Sequence, residues 1–213
     1  MKEVNSEIAG PTAPFHTYDP LNASAAQIIP AILAAAAGDS KQFDDILSGD
    51  DALRSRLEQE GAQTSDGRAG ISWDDATLIF VTCMEIQSDR SPAIPLDKGV
   101  TKSRLGRFPE GDGNPFSYLR KYCTAPKDDH TITDLLTKFD EGLNLQGFAG
   151  LNLHGWLTAG EVTSLREALQ HQEWGVDRNE PCDGGVYEII RHLVIILKNA
   201  EKRKCGVLMR AHA

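Results

Sequence analysis

The chain of 213 residues has few cysteines, few aromatic residues, no long apolar run and no excess of positive charge. Its four cysteines are widely spaced without a CxxC pair, which argues against a disulfide framework and predicts free thiols in a reducing compartment. The most apolar early segment, residues 25–37, is shorter than the roughly 20 residues that cross a bilayer, and the polar first residues lack a secretory signal. We therefore expect a cytoplasmic protein without membrane contact.

The absence of basic character excludes further classes of function. The net charge is −9 and the isoelectric point is about 5.1, whereas attraction to nucleic-acid phosphates requires a basic surface. Hydrophobic residues make up 40% of the chain and charged residues 25%, which is ordinary for a globular protein and argues against extensive disorder. A chain of this size buries about 70% of its surface on folding, so we expect a full core without disulfides or metals.

Sequence motifs of the common enzyme classes are also missing. The chain contains no GxGxxG after a strand, no GxxxxGK[ST], no HExxH and no GxSxG. The segment 111–114 lacks the later glutamate of a calcium loop, and the cluster of Asp129, His130 and Asp134 is typical of helix capping. We predict no metal and no cofactor.

A few residues are weak candidates for catalysis. Glu188 and His192 are four residues apart on one helical face, where a carboxylate that orients an imidazole forms half of a general-base arrangement; a plain ion pair is the alternative. Cys182 precedes the same helix, whose start lowers a thiol pKa, although Asp183 beside it acts in the opposite direction. His154 would complete a site only if the fold brings it to these residues.

Helical periodicity predicts a mainly α protein, α+β at most, with about seven to nine helices and minor β structure near residues 143–156 and 206–211. We expect residues 1–20, which contain three prolines, to form an N-terminal arm. Residues 21–213 then form a single helical domain with a long irregular loop at 88–113.

Two segments are apolar on nearly every face, which predicts that they pack against each other at the centre of the domain. They are residues 74–87 and residues 186–202. Residues 77–86 are rich in β-branched side chains, so a buried strand is the alternative to a helix there. Pro30 lies inside the helical pattern of residues 22–37 and is expected to kink or split that helix.

An internal repeat stands above this background. Residues 143–148 and 151–156 share the pattern Leu-Asn-Leu, an amide or imidazole, Gly and an aromatic residue, and its alternation indicates a hairpin that turns at residues 149–150. Amides beside aromatic rings suit a sugar or another polar ligand, so Asn152, His154 and Trp156 are candidate binding residues. The alternative is a structural connection, in which Phe148 and Trp156 are buried against the helix that begins at Thr158.

Charge is segregated along the chain. Residues 98–127 carry a net charge of +5 and residues 198–210 carry +4, which leaves −18 for the remainder. Within the first basic segment, Lys102, Arg104 and Arg107 are candidates for binding a phosphate or an acidic partner; the alternative is that the basic segments lie against the acidic body.

The acidic, helix-rich character resembles that of small immunity proteins that bind and inhibit a toxin, although no residue role follows from this likeness. We therefore expect a non-enzymatic interaction or inhibitor protein with a basic protein partner. The alternative function is a small-ligand-binding protein or an enzyme, with a site near His154 and the polar strip of the last helix, formed by Glu188, Arg191, His192 and Asn199. Sequence does not determine the oligomeric state.

Overall fold

An antiparallel sheet of four strands lies between two layers of helices in a computed structural model that describes residues 15–97, 115–125, 130–171 and 174–212. With strands numbered in chain order, the sheet has the spatial order β1 (Phe15–Leu21), β6 (Gly206–His212), β4 (Asn152–Leu157) and β3 (Leu145–Gln146). A separate pair consists of β2 (Cys123–Thr124) and β5 (Gly175–Val176).

The helices of the described residues divide into two groups. The first layer contains α1 (Ala25–Ala36), α2 (Lys41–Gly49), α3 (Asp51–Gln59) and α4 (Asp75–Cys83). The second layer contains α5 (Pro115–Tyr122), α6 (Thr131–Glu141), α7 (Ala159–Gln170) and α8 (Gly185–Arg203). Short 3-10 turns occur at Gly67–Gly70 and Phe148–Gly150. The fold is therefore helix-rich α+β, in agreement with the coarse prediction.

Strand alternation places the two layers on opposite faces of the sheet. Along β6, Val207 and Met209 belong to the apolar cluster of the second layer, while Leu208 between them belongs to the cluster of the first. The same alternation assigns Tyr18 of β1 to the second layer and Leu21 to the first. One strand thus supplies side chains to two separate cores.

The predicted central pairing of segments 74–87 and 186–202 is wrong. Both helices are deeply buried, but α4 packs in the first layer and α8 in the second, with the sheet between them. Apolar residues all around a helix show that it is buried without showing what buries it. Because the sheet has a core on each face, both helices bury their apolar residues without contacting each other.

The predicted N-terminal arm is also incorrect over its last residues. All seven residues of β1 pair antiparallel with β6, from Phe15 opposite His212 to Leu21 opposite Gly206. Pro20 is tolerated because β1 is an edge strand of the four-stranded sheet, where a missing backbone N–H breaks no ladder. Residues 1–14 lie outside the described residues.

The outer edge of β1 is covered by the chain that follows α4. The amide of Glu85 donates to the Pro20 carbonyl at 3.0 Å, and the amide of Leu96 donates to the Tyr18 carbonyl at 2.8 Å. Met84 forms an isolated bridge with Leu21. Segment 77–86 is thus helical as far as Cys83, and residues 84–86 continue as an extended segment outside the named strands. Covering the edge removes free strand hydrogen-bonding groups.

Two further predictions concern the interiors of helices and loops. Helix α1 runs through Pro30 without a break. Pro30 has no N–H to donate to the carbonyl of Ala26, but both residues are exposed, so water can reach that carbonyl. Residues 88–97 contain no helix and no named strand, although part of this segment forms a narrow hairpin described below, and residues 98–114 lie outside the described residues.

Candidate functional site

The predicted catalytic candidates occupy two separate places. Glu188 and His192 lie on α8, where Nε2 of buried His192 is 3.8 Å from Oε1 of Glu188. His154 lies on β4, and its ring contacts His16 edge-on with centroids 5.1 Å apart. Four clefts formed by the described residues are lined by side chains other than His154, Glu188 and His192. None of these four clefts brings the three predicted residues together.

Cys182 belongs to the structure that begins α8. Its amide donates to Oη of Tyr118 at 3.2 Å, and Tyr118 donates to Oε1 of Glu180 at 3.0 Å. The same oxygen of Glu180 accepts from the amide of Val186 at 2.6 Å. Burial raises the pKa of Tyr118, and the Glu180 carboxylate raises that pKa further. Glu180 satisfies the helix start, so this arrangement is a helix cap.

The repeat forms the predicted hairpin, with Leu145 opposite Leu153 and Gln146 opposite Asn152. Its two aromatic residues are not equivalent. Trp156 is 5% exposed and packs in the first layer, whereas Phe148 is 81% exposed at the tip of the hairpin. The expectation that both are buried against α7 is therefore wrong, because Phe148 occupies the turn and Trp156 a strand interior.

Both glycines of the repeat lie where a helix passes close to the hairpin, so a side chain does not fit at either position. A side chain at Gly155 would collide with the carbonyl oxygens of Lys138 and Phe139 on α6. A side chain at Gly147 would lie 2.9 Å from Cβ of Ala76, at the start of α4. Each copy therefore places a glycine where a helix crosses closely, once in each layer.

Trp156 is also covered by a cation. Lys138 Nζ lies 4.0 Å from the centre of the indole ring and pairs with Glu161 at 2.6 Å. Glu161 completes a capping box with Thr158. His154 is half-buried, and its Nε2 has no hydrogen-bond partner among the described residues. These contacts favour a structural role for the hairpin.

The anion-binding site expected in the first basic segment stays a prediction. Lys102, Arg104 and Arg107 lie outside the described residues. Across the ranges that the structure describes, no cluster of three or more His, Cys, Asp or Glu side chains is arranged to hold a metal ion.

A cleft with a volume of about 730 Å³ lies between α3, α4 and the extended segment after α4. Its apolar lining comes from Leu53 of α3, Phe80 and Val81 of α4, and Met84 and Ile86 of the segment. Its charged lining consists of Asp50, Arg56, Glu60 and Arg90. A volume of this size is typical of small-molecule sites.

Segment 84–93 forms one wall of this cleft as a narrow hairpin. The amide of Ala93 donates to the Glu85 carbonyl at 3.0 Å, and the amide of Gln87 donates to the Ser91 carbonyl at 2.8 Å. Arg90 occupies the tight turn with a φ of 68°. The hairpin is attached to the second layer because Arg203 donates to Glu85 at 2.8 Å. The sequence did not indicate this wall, because residues 84–87 were predicted as the end of a helix and residues 88–93 as part of a loop.

Arg56 is the exceptional charge in the cleft. Six arginines of the described chain are half-buried, and five of them have a carboxylate within 3.3 Å: Arg54, Arg68, Arg120, Arg166 and Arg210. Arg56 has no such partner there; one guanidinium nitrogen donates to the Met84 carbonyl at 3.0 Å. Burial lowers the pKa of Arg56, which is opposed by the charges of Cys83 and Glu60.

The sequence signal for Arg56 was weak. It follows Leu53 by three residues, at the margin of the apolar stripe of α3, where an arginine normally extends into solvent. Only the packing of hairpin 84–93 against this margin makes the guanidinium half-buried. The pairing of the other arginines likewise depends on contacts between distant elements.

Charge is segregated in space as well as in sequence. Residues 39–66 of the first layer contain eight carboxylates and three basic side chains. Six of these carboxylates are exposed and define the acidic surface: Asp39, Asp45, Asp51, Glu58, Glu60 and Asp66. Exposed Lys198, Lys202 and Lys204 lie at the end of α8 in the second layer, and no ion pair between described residues joins them to the acidic surface.

Comparisons with family models, with curated proteins and with solved structures found no match for this chain. Within the described residues, no helix combines the length and the apolar character needed to cross a bilayer. The interpretation of the cleft and of the acidic surface therefore depends on their own geometry.

Proposed function

We propose that this protein acts by binding a basic protein partner through the acidic surface of α2, α3 and the loop that follows them, as an inhibitor or immunity-type protein does. The observation that supports this proposal is the exposure of six carboxylates on one layer, with Asp51 alone in an ion pair between described residues, to Arg54 at 3.3 Å. A concentrated surface charge steers an oppositely charged partner and raises its association rate.

The alternative interpretation, in which the basic segments neutralise the acidic body, is not favoured for the C-terminal basic segment. The basic end of α8 lies in the opposite layer, and Arg203 there pairs with Glu85 and donates to the Ile94 carbonyl, both of which belong to the connection after α4 and not to the acidic surface. The acidic surface is thus left for a second molecule. The alternative site near His154 and α8 receives no support from the four clefts described above, which other residues line.

A pair of triple variants with the same net charge tests the proposal. The first neutralises the acidic surface with Asp45→Asn, Glu58→Gln and Asp66→Asn. The matched control neutralises three exposed carboxylates of the second-layer side with Asp134→Asn, Asp183→Asn and Glu188→Gln. Each variant raises the net charge by three, so a general effect of charge is the same in both.

The measurement is quantitative capture of proteins from native lysate at low and at high salt. We expect wild type and the control to capture the same basic protein at low salt, and the first variant to lose it by several-fold. Added salt weakens the capture because it screens surface charges beyond about 8–10 Å. Equal capture by both variants, or no captured basic protein, contradicts the proposal.

A further inference from the structure

We propose that the cleft between α3, α4 and hairpin 84–93 is a binding site for a small amphipathic carboxylate, with Arg56 holding the carboxylate and the apolar lining holding the chain. This proposal does not depend on the proposed protein partner, although Glu60 belongs both to the rim of the cleft and to the acidic surface. Its ligand class follows from three features of the cleft: an unpaired cation, an apolar wall and a balanced rim.

The unpaired cation is the first feature. The guanidinium of Arg56 is half-buried and uses one nitrogen for the Met84 carbonyl, so several of its five N–H groups have no acceptor among the described residues. Removing a cation from water without a counter-charge is unfavourable, and an anion that binds there restores the lost interaction. A carboxylate fits a guanidinium through two parallel hydrogen bonds.

The apolar wall is the second feature. Leu53, Phe80, Val81, Met84 and Ile86 line the same cleft as Arg56. Ile86 is 46% exposed, which leaves apolar surface that a hydrocarbon chain would cover. An all-polar anion such as phosphate or citrate would leave this surface in water, so the wall favours a ligand with an apolar chain.

The rim is the third feature, and it limits the charge of the ligand. Asp50 accepts from the amides of Ala52 at 3.0 Å and Leu53 at 2.9 Å, so its carboxylate is engaged in capping α3. Glu60 has no ion pair within the described residues and lies at the rim near Arg56. Exposed Arg90 is the second cation of the lining, so Asp50 and Glu60 leave the cleft without net positive charge, which disfavours a multiply charged anion more than a monocarboxylate.

Octanoate is the probe, and its binding to the full chain is measured by calorimetry and by amide chemical shifts. We expect octanoate to bind and to shift amides of α3, α4 and residues 84–93. Octanol lacks the charge, octylammonium reverses it and acetate lacks the chain, so each should bind at least about tenfold more weakly. Equal binding of octanol and octanoate overturns the role of Arg56, and no detectable octanoate binding overturns the site.

Variants of the cleft give changes in opposite directions. Arg56→Gln should weaken octanoate binding about tenfold. The control Arg54→Gln removes the neighbouring arginine of the same helix, which also donates to backbone carbonyls but does not line the cleft. Glu60→Gln should strengthen binding several-fold, because it removes the carboxylate that repels the ligand; a misfolded protein does not bind more tightly. Unchanged binding in both Arg56→Gln and Glu60→Gln contradicts the proposal.

The two proposals fail separately. Loss of partner capture in the variant that neutralises Asp45, Glu58 and Asp66 concerns the acidic surface, and none of these residues lines the cleft. Octanoate binding that is unaffected by that variant supports a distinct site. A failure of either experiment therefore leaves the other interpretable.

Discussion

Gly155 is the position where the contact between the sheet and the second layer is most directly testable. It lies in β4 opposite Met209, and an added Cβ would collide with the carbonyl oxygens of Lys138 and Phe139 and lie 2.6 Å from the carbonyl carbon of Phe139. All of these atoms belong to the backbone of α6, so no side-chain rotation relieves the collision. Gly155→Ala therefore forces α6 away from the sheet or distorts β4.

The expected cost is at the upper end of overpacking, about 3 kcal/mol. For a chain of this size each kcal/mol corresponds to about 2–4 °C in melting temperature, so Gly155→Ala should lower it by about 6–12 °C. Gly160→Ala is the matched control: it adds the same methyl group in the first turn of α7, where no atom lies within 4 Å. It should stabilise the protein by about 0.5–1 kcal/mol.

Thermal unfolding followed by circular dichroism measures both variants. A lower melting temperature for Gly155→Ala together with a higher one for Gly160→Ala supports the close approach of β4 and α6. If Gly155→Ala melts at the wild-type temperature, or if the two alanine variants change stability equally, the described packing of this strand is wrong.

Two further predictions concern the separate layers and a buried thiol. Leu78→Ala in α4 and Leu193→Ala in α8 should each lower the free energy of unfolding by about 2–5 kcal/mol. Because the sheet separates the two side chains, the losses should add within about 0.5 kcal/mol in the double variant, as measured by denaturant unfolding. Strong coupling between the two substitutions would refute that separation. Burial raises the pKa of Cys83 to about 12, so a variant that retains this cysteine alone should react with a thiol reagent at pH 9 only as fast as it unfolds, and faster labelling contradicts the burial. Since the folded pKa exceeds the unfolded value, the stability linked to this thiol is present below about pH 9 and is lost as pH rises towards 12.

The candidate site shows how an ordinary sequence feature acquires chemical character. Arg56 differs from the other half-buried arginines in what surrounds it, since each of those has a carboxylate partner and Arg56 has a carbonyl. The partners of Arg210 and Arg120, for example, are Asp19 and Asp140, which are distant in sequence. A search of the sequence for charged motifs therefore finds no reason to select Arg56.

Local chemistry was readable from the sequence because its determinants lie within a few residues of one another. The capping box at Thr158 and Glu161 and the existence of the hairpin over residues 145–153 both follow from short patterns, whereas the observed register, with Leu145 opposite Leu153, differs by one residue from a turn at residues 149–150. The existence of most helices follows in the same way from spacing of apolar residues. The end of α4 at Cys83 does not, because residues 84–86 become extended to pair along β1.

Only the tertiary structure decided which buried elements share a core and which charges remain without a partner. β1 pairs with β6 from the other end of the chain, and that pairing places α4 and α8 on opposite faces although both are apolar all around. Hydrophobic burial is non-directional, so the sequence determined that these segments are buried while long-range strand pairing determined against what. The same pairing brings hairpin 84–93 against α3 and leaves Arg56 in a cleft without an ion pair to any described residue.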